Sequence, residues 1–429
     1  MDIGIIGSGH VGLVTGACFA ELGNHVICMD DNQEKILNLQ KGVMPFFEPG
    51  MEELTLRNVK AGRLSYTTEI KETVENSLVL FIAVGTPSKA KGEADLTAVE
   101  RVTGEIAKTM KEYKLVVEKS TVPVETGIWI KKTLERTISK GVEYDVASNP
   151  EFLREGSAIH DFLHPDRVVL GVESERSRKI LLELYAPLKA PIVETDIQTA
   201  ELIKHASNSF LATKISFINA ISILCEKVGA DVNQVAEGMG LDKRIGKDFL
   251  RAGIGYGGLC FPKDIRAFAS IAEKLGYEFR LLKEVERINE EQKRRFVEKV
   301  KEALWNLEGK TIGILGLSYK PFTDDIRSSP AIDILNDLLD EGALIQVYDP
   351  AVRKESHSSF EKIQFCKDAY DAARGASCLV LLTEWEEFEC LDYGRIKGLL
   401  ENAVLIDGRN LLDPKKMRDL GFHYEGIGR

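Results

Sequence analysis

Apolar positions along this chain fall into short runs separated by helical spacing. The first run, Asp2-Ile3-Gly4-Ile5-Ile6, is followed by Gly7-Ser8-Gly9-His10-Val11-Gly12. A helical pattern then runs to Gly23, and a second apolar run, His25 to Met29, ends at Asp30. Strand, glycine turn, helix, strand is the unit from which parallel sheets are built. Further runs at 78–84, 115–118, 142–147, 167–170 and 192–194 predict an open α/β domain.

The texture changes near residue 196. Thr195-Asp196-Ile197-Gln198 fits a capping box, no Pro or Gly follows until Gly229, and Gly229 is a stop signal. Roughly 33 residues at 1.5 Å each predict a helix of about 50 Å, a spine between domains and a subunit interface. A second strand-turn-helix-strand unit starts at Thr311, with a helix over 331–341, a strand over 344–348 and more strands at 379–382 and 403–406. The predicted class is α/β: two Rossmann-like, doubly wound domains joined by a long central helix and a helical dimerisation region. The expected boundaries are 1–195, 196–306 and 307–429.

Charge narrows the partners. Against 56 basic residues stand 67 acidic ones, a net charge of −11, which argues against a general nucleic-acid binder but leaves room for a local basic pocket. No uninterrupted apolar run reaches about 18 residues, so neither a membrane-spanning helix nor a membrane partner is expected. The seven cysteines are scattered and form no C-x-x-C pair, which disfavours a disulfide framework or zinc site. No metal is expected, and the odd count fits a reducing, cytoplasmic location.

Three stretches carry candidate chemistry. Gly7-x-Gly9-x-x-Gly12 lies between a strand and a helix, with Asp30 closing the next strand, as a dinucleotide site requires. The helix N-terminus suits a pyrophosphate, and Asp30 suits a ribose diol. Asp31 beside it would repel a 2′-phosphate, so NAD is preferred to NADP. The second stretch is Gly253-Ile254-Gly255-Tyr256-Gly257-Gly258-Leu259-Cys260-Phe261-Pro262-Lys263-Asp264, ahead of an amphipathic helix. Pro262 fits a first helical position, which puts Cys260 just before the helix. There the dipole and Lys263 favour the thiolate, and the other six cysteines read as structural. The glycines would let backbone pass close to a substrate. Third, Asn149-Pro150-Glu151-Phe152-Leu153-Arg154-Glu155-Gly156 follows a strand, where open sheets place ligands. Thr86 and Thr121 also follow strands, and Lys204 and Asn208 share a face of the long helix.

Taken in order, these motifs resemble the UDP-glucose dehydrogenase family over essentially the whole chain. GSGHVG, Lys119-Ser120-Thr121-Val122-Pro123, NPEFLREGSAIHDF, Arg244-Ile245-Gly246, GIGYGGLCFPKD, Leu317-Ser318-Tyr319-Lys320-Pro321 and Asp324-Asp325-Ile326-Arg327 all fit. The resemblance implies an NAD-dependent, four-electron oxidation of a sugar C6 alcohol to a carboxylate, through a thiohemiacetal and a thioester on Cys260. It implies that Lys204 and Asn208 stabilise the oxyanion, that Thr121 and Asp264 position water or relay protons, and that Glu151 is a base for hydrolysis. NAD would be held by the glycine turn (Gly7, Gly9, Gly12) with Val11, Asp30 and Lys35. Thr86, Thr121, Glu155, Lys263 and Arg327 would complete that site. The sugar nucleotide would meet Glu151, Phe152, Leu153, Arg154 and Glu155, then Lys204 and Asn208. Farther along, Phe249, Leu250, Arg251, Ala252, Gly253, Gly257 and Lys320 would join them. Arg244 would reach a partner subunit's site, implying a homodimer or larger homo-oligomer.

His10 and Leu259 stand where the family often has Tyr and Ser, a change expected to touch packing more than chemistry. UDP-glucose is the expected substrate. GDP-mannose or a UDP-N-acetylhexosamine is the alternative, and a silent sugar-nucleotide sensor is disfavoured because Cys260 and Lys204 are both present.

Overall fold

The structure, a computed structural model, describes residues 1–89 and 92–429. The chain forms two compact units, one of residues 1–207 and 266–277, the other of residues 208–265 and 278–429. The division between these two units falls inside the long helix.

Among the described residues, the first unit is built on eight strands: β1 (Asp2–Ile6), β2 (His25–Met29), β3 (Leu64–Thr67), β4 (Val79–Ile82), β5 (Lys114–Glu118), β6 (Tyr144–Ser148), β7 (Val168–Gly171) and β8 (Ile192–Thr195). Their order is β3-β2-β1-β4-β5-β6-β7-β8, and every pairing is parallel except β6 with β7. Strands β4 and β5 are buried at every position, which is why β4 reads as an unbroken apolar run and β5 as the apolar Leu115–Val117 between Lys114 and Glu118. The sequence reading passed over β3. Its Leu-Ser-Tyr-Thr alternates buried and exposed at a sheet edge, so it carries too little apolar signal. Ile6 pairs with both Met29 and Ile82, which gathers Gly7, Asp30 and Ala83 at the carboxyl edge where the strand order reverses.

The second unit repeats the plan with six strands: β9 (Thr311–Leu315), β10 (Leu344–Tyr348), β11 (Gln364–Phe365), β12 (Cys378–Leu381), β13 (Val404–Asp407) and β14 (His423–Glu425). They lie in the order β11-β10-β9-β12-β13-β14, all parallel. The edge strands β11 and β14 span two and three residues, too short for periodicity to reveal.

The long helix is Ile197–Val228, 32 residues, ended by Gly229 at φ +73°. Its cap differs from the predicted box: Asp196 Oδ1 accepts from Thr199 N at 2.7 Å, so Asp196 does the capping. By length and composition alone the helix is long and apolar enough to cross a membrane. An uninterrupted-run criterion misses this because polar residues break the run. Those residues bind inside the second unit: Asn219 Oδ1 accepts from Gly253 N at 2.9 Å, and Ser216 Oγ donates to Val285 O at 2.8 Å. Glu226 pairs with Arg295 and Lys299, each at 2.9 Å. Such contacts are those of a core helix.

Candidate active site

The glycine turn follows β1 and enters the helix His10–Glu21. Gly7 has φ +104°, and a Cβ there would lie 2.6 Å from Ala83 O. A Cβ on Gly12 would lie 1.8 Å from Gly7 O, so the helix starts tight against the turn. At Gly9 a Cβ would meet nothing within 4 Å. The turn therefore leaves open space at its apex, beside the free N–H groups of a helix start, which fits a dinucleotide pyrophosphate. Asp30 closes β2: its Oδ2 accepts from Ser8 N at 2.9 Å and from Lys35 Nζ at 2.8 Å. His10 packs against Phe46 with ring centroids 4.7 Å apart, and its Nε2 lies 2.8 Å from Glu48 Oε2. Glu48 also accepts from Gly156 N and Ala158 N at 2.7 and 2.8 Å. His10 thus ties the glycine turn to the segment after Glu155, a packing role.

Most of the expected acid–base groups of the first unit come together. Lys204 Nζ lies 3.0 Å from Glu151 Oε1, and both side chains are about 5% exposed. Glu151 Oε2 accepts from Leu153 N at 2.6 Å, which folds the segment back on itself. Phe152 lies under the Arg167 guanidinium at 3.6 Å and near Lys204 Nζ at 5.3 Å. Thr86 Oγ1 donates to Thr121 O at 2.8 Å, so these two residues share one loop junction. Arg154 instead turns to Asp161, with two guanidinium contacts of 3.0 and 2.6 Å.

Sequence reasoning missed two charged groups here. Lys119 is buried and donates to Asn149 Oδ1 at 2.9 Å; burial pushes its ammonium down to about 8. Glu201 accepts from Glu125 N at 2.7 Å and Gly127 N at 2.8 Å, and burial pushes its carboxyl up to about 7. Its position one helical turn before Lys204 was the available signal.

In the second unit, Cys260 is the first residue of the helix Cys260–Lys274, not the residue before it, and Pro262 is the third. Proline is tolerated there because first-turn N–H groups have no partner inside the helix. Cys260 is exposed, whereas Cys18, Cys28, Cys225, Cys366 and Cys378 are buried. Cys390 is also exposed, so the expectation of six structural thiols fails at that position. Asp264, one turn after Cys260, is buried between Asn208 Nδ2 at 2.6 Å and Lys263 Nζ at 2.8 Å.

The preceding glycines have a packing reason as well. A Cβ on Gly257 would lie 2.3 Å from Ser328 O, and one on Gly258 would lie 2.8 Å from the Tyr319 ring. They are glycine because protein backbone and rings fill those positions. Leu250 and Ala252 are buried. Phe249 adopts φ +63° and Gly253 N is held by Asn219. Lys320 Nζ lies 5.6 Å from the Tyr319 ring centroid. Arg327 and Arg244 form forked pairs with Asp325 and Asp242, two and two residues away. Arg409 was missed: it is pushed down by burial and donates to Leu382 O, Gly255 O and Tyr319 O at 2.8, 3.1 and 3.2 Å. It joins the glycine loop to the Lys320 turn. Asp349 repeats the role of Asp30, accepting from Leu317 N and Ser318 N at 2.7 and 3.1 Å.

A parallel glycine-turn unit closed by an aspartate, with a buried lysine–carboxylate pair and an exposed helix-heading thiol, defines an NAD-dependent dehydrogenase class. Three family descriptions match the chain in order. They are the UDP-glucose/GDP-mannose dehydrogenase family NAD-binding domain at 1–189, its central domain at 198–291 and its UDP-binding domain at 313–414. The chain belongs to the UDP-glucose/GDP-mannose dehydrogenase family. It is 45% identical over 428 residues to a UDP-glucose 6-dehydrogenase of Bacillus subtilis (strain 168), covering 100% of this chain and 93% of the relative. The structure of a UDP-glucose dehydrogenase from Pyrobaculum islandicum superposes with a TM-score of 0.93 at 38% identity, covering 100% and 97% of the two chains. A UDP-D-ManNAc dehydrogenase from Pyrococcus horikoshii gives 0.89 at 28% identity, covering 100% and 99%.

Proposed function

We propose that the protein oxidises UDP-glucose at C6 to UDP-glucuronate, a four-electron change using two NAD per sugar. The observation that carries this reading is Cys260, an exposed thiol heading a helix, one turn before a buried Asp264 held by Asn208. Oxidising an alcohol to an aldehyde needs only a base and a hydride acceptor. Going on to the acid needs a nucleophile that makes the carbonyl carbon tetrahedral again. The 45% identity to a UDP-glucose 6-dehydrogenase, against 28% to the UDP-D-ManNAc enzyme, favours UDP-glucose among related sugars.

NAD, when bound, supplies the hydride acceptor for both oxidations. The glycine turn with Val11 takes its pyrophosphate, and Asp30 with Lys35 takes the ribose; Thr86, Thr121, Glu155, Lys263 and Arg327 complete the contacts. Glu151 to Glu155 and Phe249 to Gly253 hold the sugar nucleotide, with Gly257 at the loop and Arg251 and Lys320 offering positive charge to the diphosphate. Lys204 assists loss of the C6 hydroxyl proton and, with Asn208, stabilises the oxyanion. Cys260 Sγ then adds to the aldehyde carbon; the C–S bond forms as the carbonyl pair moves to oxygen, which takes a proton. Loss of hydride and proton from that thiohemiacetal leaves a thioester. Water, oriented by Thr121 and Asp264 with Glu151 as base, adds to it. The C–S bond breaks, and the thiol and carboxylate are released.

We read the working form as a cytoplasmic homodimer. Phe210, Phe217, Leu224 and Val228 lie exposed along the long helix at spacings of one face, and Arg244, exposed and paired only with its near neighbour Asp242 among the described residues, would exchange that pair for a partner's site. A reducing compartment keeps the Cys260 thiol available.

NADH yield tests the reaction. The wild-type protein should give two NADH per UDP-glucose, and Cys260→Ala should bind UDP-glucose yet make no acid. Turnover confined to GDP-mannose would overturn the substrate. A wild-type yield of two NADH from Cys260→Ala at normal rate would overturn the covalent route.

A further inference from the structure

The reaction above uses Lys204 and Glu151 but not the third buried charge beside them. Lys119 follows β5 directly and is buried, as are Lys204 and Glu151. Its ammonium donates to Asn149 Oδ1 at 2.9 Å and to Asn149 O at 3.3 Å. Asn149 is held from three other directions. Its N–H donates to Glu118 O at 2.8 Å, its Nδ2 donates to Val169 O at 2.9 Å, and the Tyr185 hydroxyl donates to its Oδ1. Two residues further on, Glu151 takes the Lys204 ammonium.

Lys119 and Lys204 thus both lie in the field of the Glu151 carboxylate. A second buried ammonium carries a desolvation cost. The Asn149 side chain does not require a charged partner, since the Tyr185 hydroxyl and Val169 O already meet that amide, whereas the Lys119 bond to Asn149 O holds the backbone of the turn. A neutral donor would have served a purely structural purpose at lower cost in stability.

We propose that Lys119 is a positioning residue for the Glu151–Lys204 pair: it fixes the Asn149–Glu151 turn and adds a second positive charge to the pocket where the substrate oxygen becomes negative. The proposal rests on the reaction described above. The groups facing Lys119 are the Glu151 carboxylate, which holds its proton on, and the Lys204 ammonium, which works against it. Across Asn149 stands the Tyr185 phenol, kept neutral by burial. Its chain neighbour Glu118 is also kept protonated, by burial and then by Glu201. With its ammonium pushed down to about 8, Lys119 loses charge as pH rises through that value, and the rate falls with it.

The test is kcat and KM for UDP-glucose against pH, for the wild type, Lys119→Arg and Lys119→Met, with thermal unfolding of each as a folding check. In the wild type, kcat should fall on the basic side near pH 8. Lys119→Arg, always charged, should keep at least about a third of kcat at pH 7 and move that fall up by about one pH unit or more. Lys119→Met should lose about tenfold or more in kcat at pH 7, with KM changed less than about threefold. A basic limb unmoved in Lys119→Arg would overturn the proposal, and so would full kcat in Lys119→Met. If Lys119→Met does not fold, the limb in Lys119→Arg decides alone. The wild-type NADH yield is a separate control: its failure counts against the proposed substrate, and the variants are then compared on whichever nucleotide sugar the wild type oxidises.

Discussion

Glu151 Oε1 and Lys204 Nζ meet at 3.0 Å with both side chains about 5% exposed, although 53 residues separate them in the chain. A pair this buried gives each partner its reason for being charged. Removing the lysine leaves a carboxylate without its counterion, a change that costs about 3–5 kcal/mol. Lys204→Met should therefore melt at a clearly lower temperature than the wild type. It should also lose about 100-fold or more in kcat, more than it loses in substrate binding. An effect on KM alone, at unchanged kcat, would remove Lys204 from the chemistry.

Asp30 does two things at once. Its Oδ2 holds the buried Ser8 N–H and the Lys35 ammonium. Asp30→Ala orphans that N–H, at about 1–3 kcal/mol, and leaves Lys35 as a cation beside the ribose position. KM for NAD should rise about tenfold or more, while NADP, whose 2′-phosphate now meets Lys35, should be used better than before. Unchanged discrimination between the two coenzymes in initial-rate assays would count against the ribose contact.

Glu201 makes stability depend on pH. Burial raises its carboxyl from an ordinary 4.5 to about 7, so the folded chain holds this proton more tightly than the unfolded chain. The contribution is complete below about 4.5 and is lost as pH rises through about 7. Over that window it amounts to about 3 kcal/mol. Glu201→Gln does not titrate there. Urea unfolding should show the variant gaining on the wild type between pH 5 and pH 8, and a constant difference would contradict the assignment.

The exposed face of the long helix should carry the subunit contact. Wild-type protein should run in light-scattering chromatography at twice the 47.7 kDa chain mass or more. Phe217→Glu places a charge in the middle of the apolar stripe and should shift the population to monomer at micromolar concentration. A variant that stays dimeric would move the interface elsewhere.

Much of the fold was legible in the sequence because its signals are local. Central strands such as β4 and β5 are short apolar runs, the glycine turn announces itself by spacing, and Gly229 ends the long helix. The edge strands β3, β11 and β14 were not legible, since a few half-exposed residues carry no period. The candidate residues at 151, 204, 208, 260 and 264 were readable from motifs. The reason for Gly257 and Gly258 was not, because Ser328 and Tyr319, which fill their Cβ positions, lie some 60–70 residues away in sequence.

By itself the sequence determined the two α/β units, the glycine turn of an NAD-binding domain, and Cys260 as the thiol to watch. These follow from spacing, charge and helix ends, which are properties of neighbouring residues. Only the tertiary structure decided which charges are buried and what they face: that Lys204 meets Glu151, that Lys119 sits behind them on Asn149, that Glu201 pins Glu125 and Gly127, and that Cys390 is exposed while five other thiols are not. Burial and pairing are set by groups brought together from distant parts of the chain, and it is the loss of water around them, not their order in sequence, that sets their charge and strength.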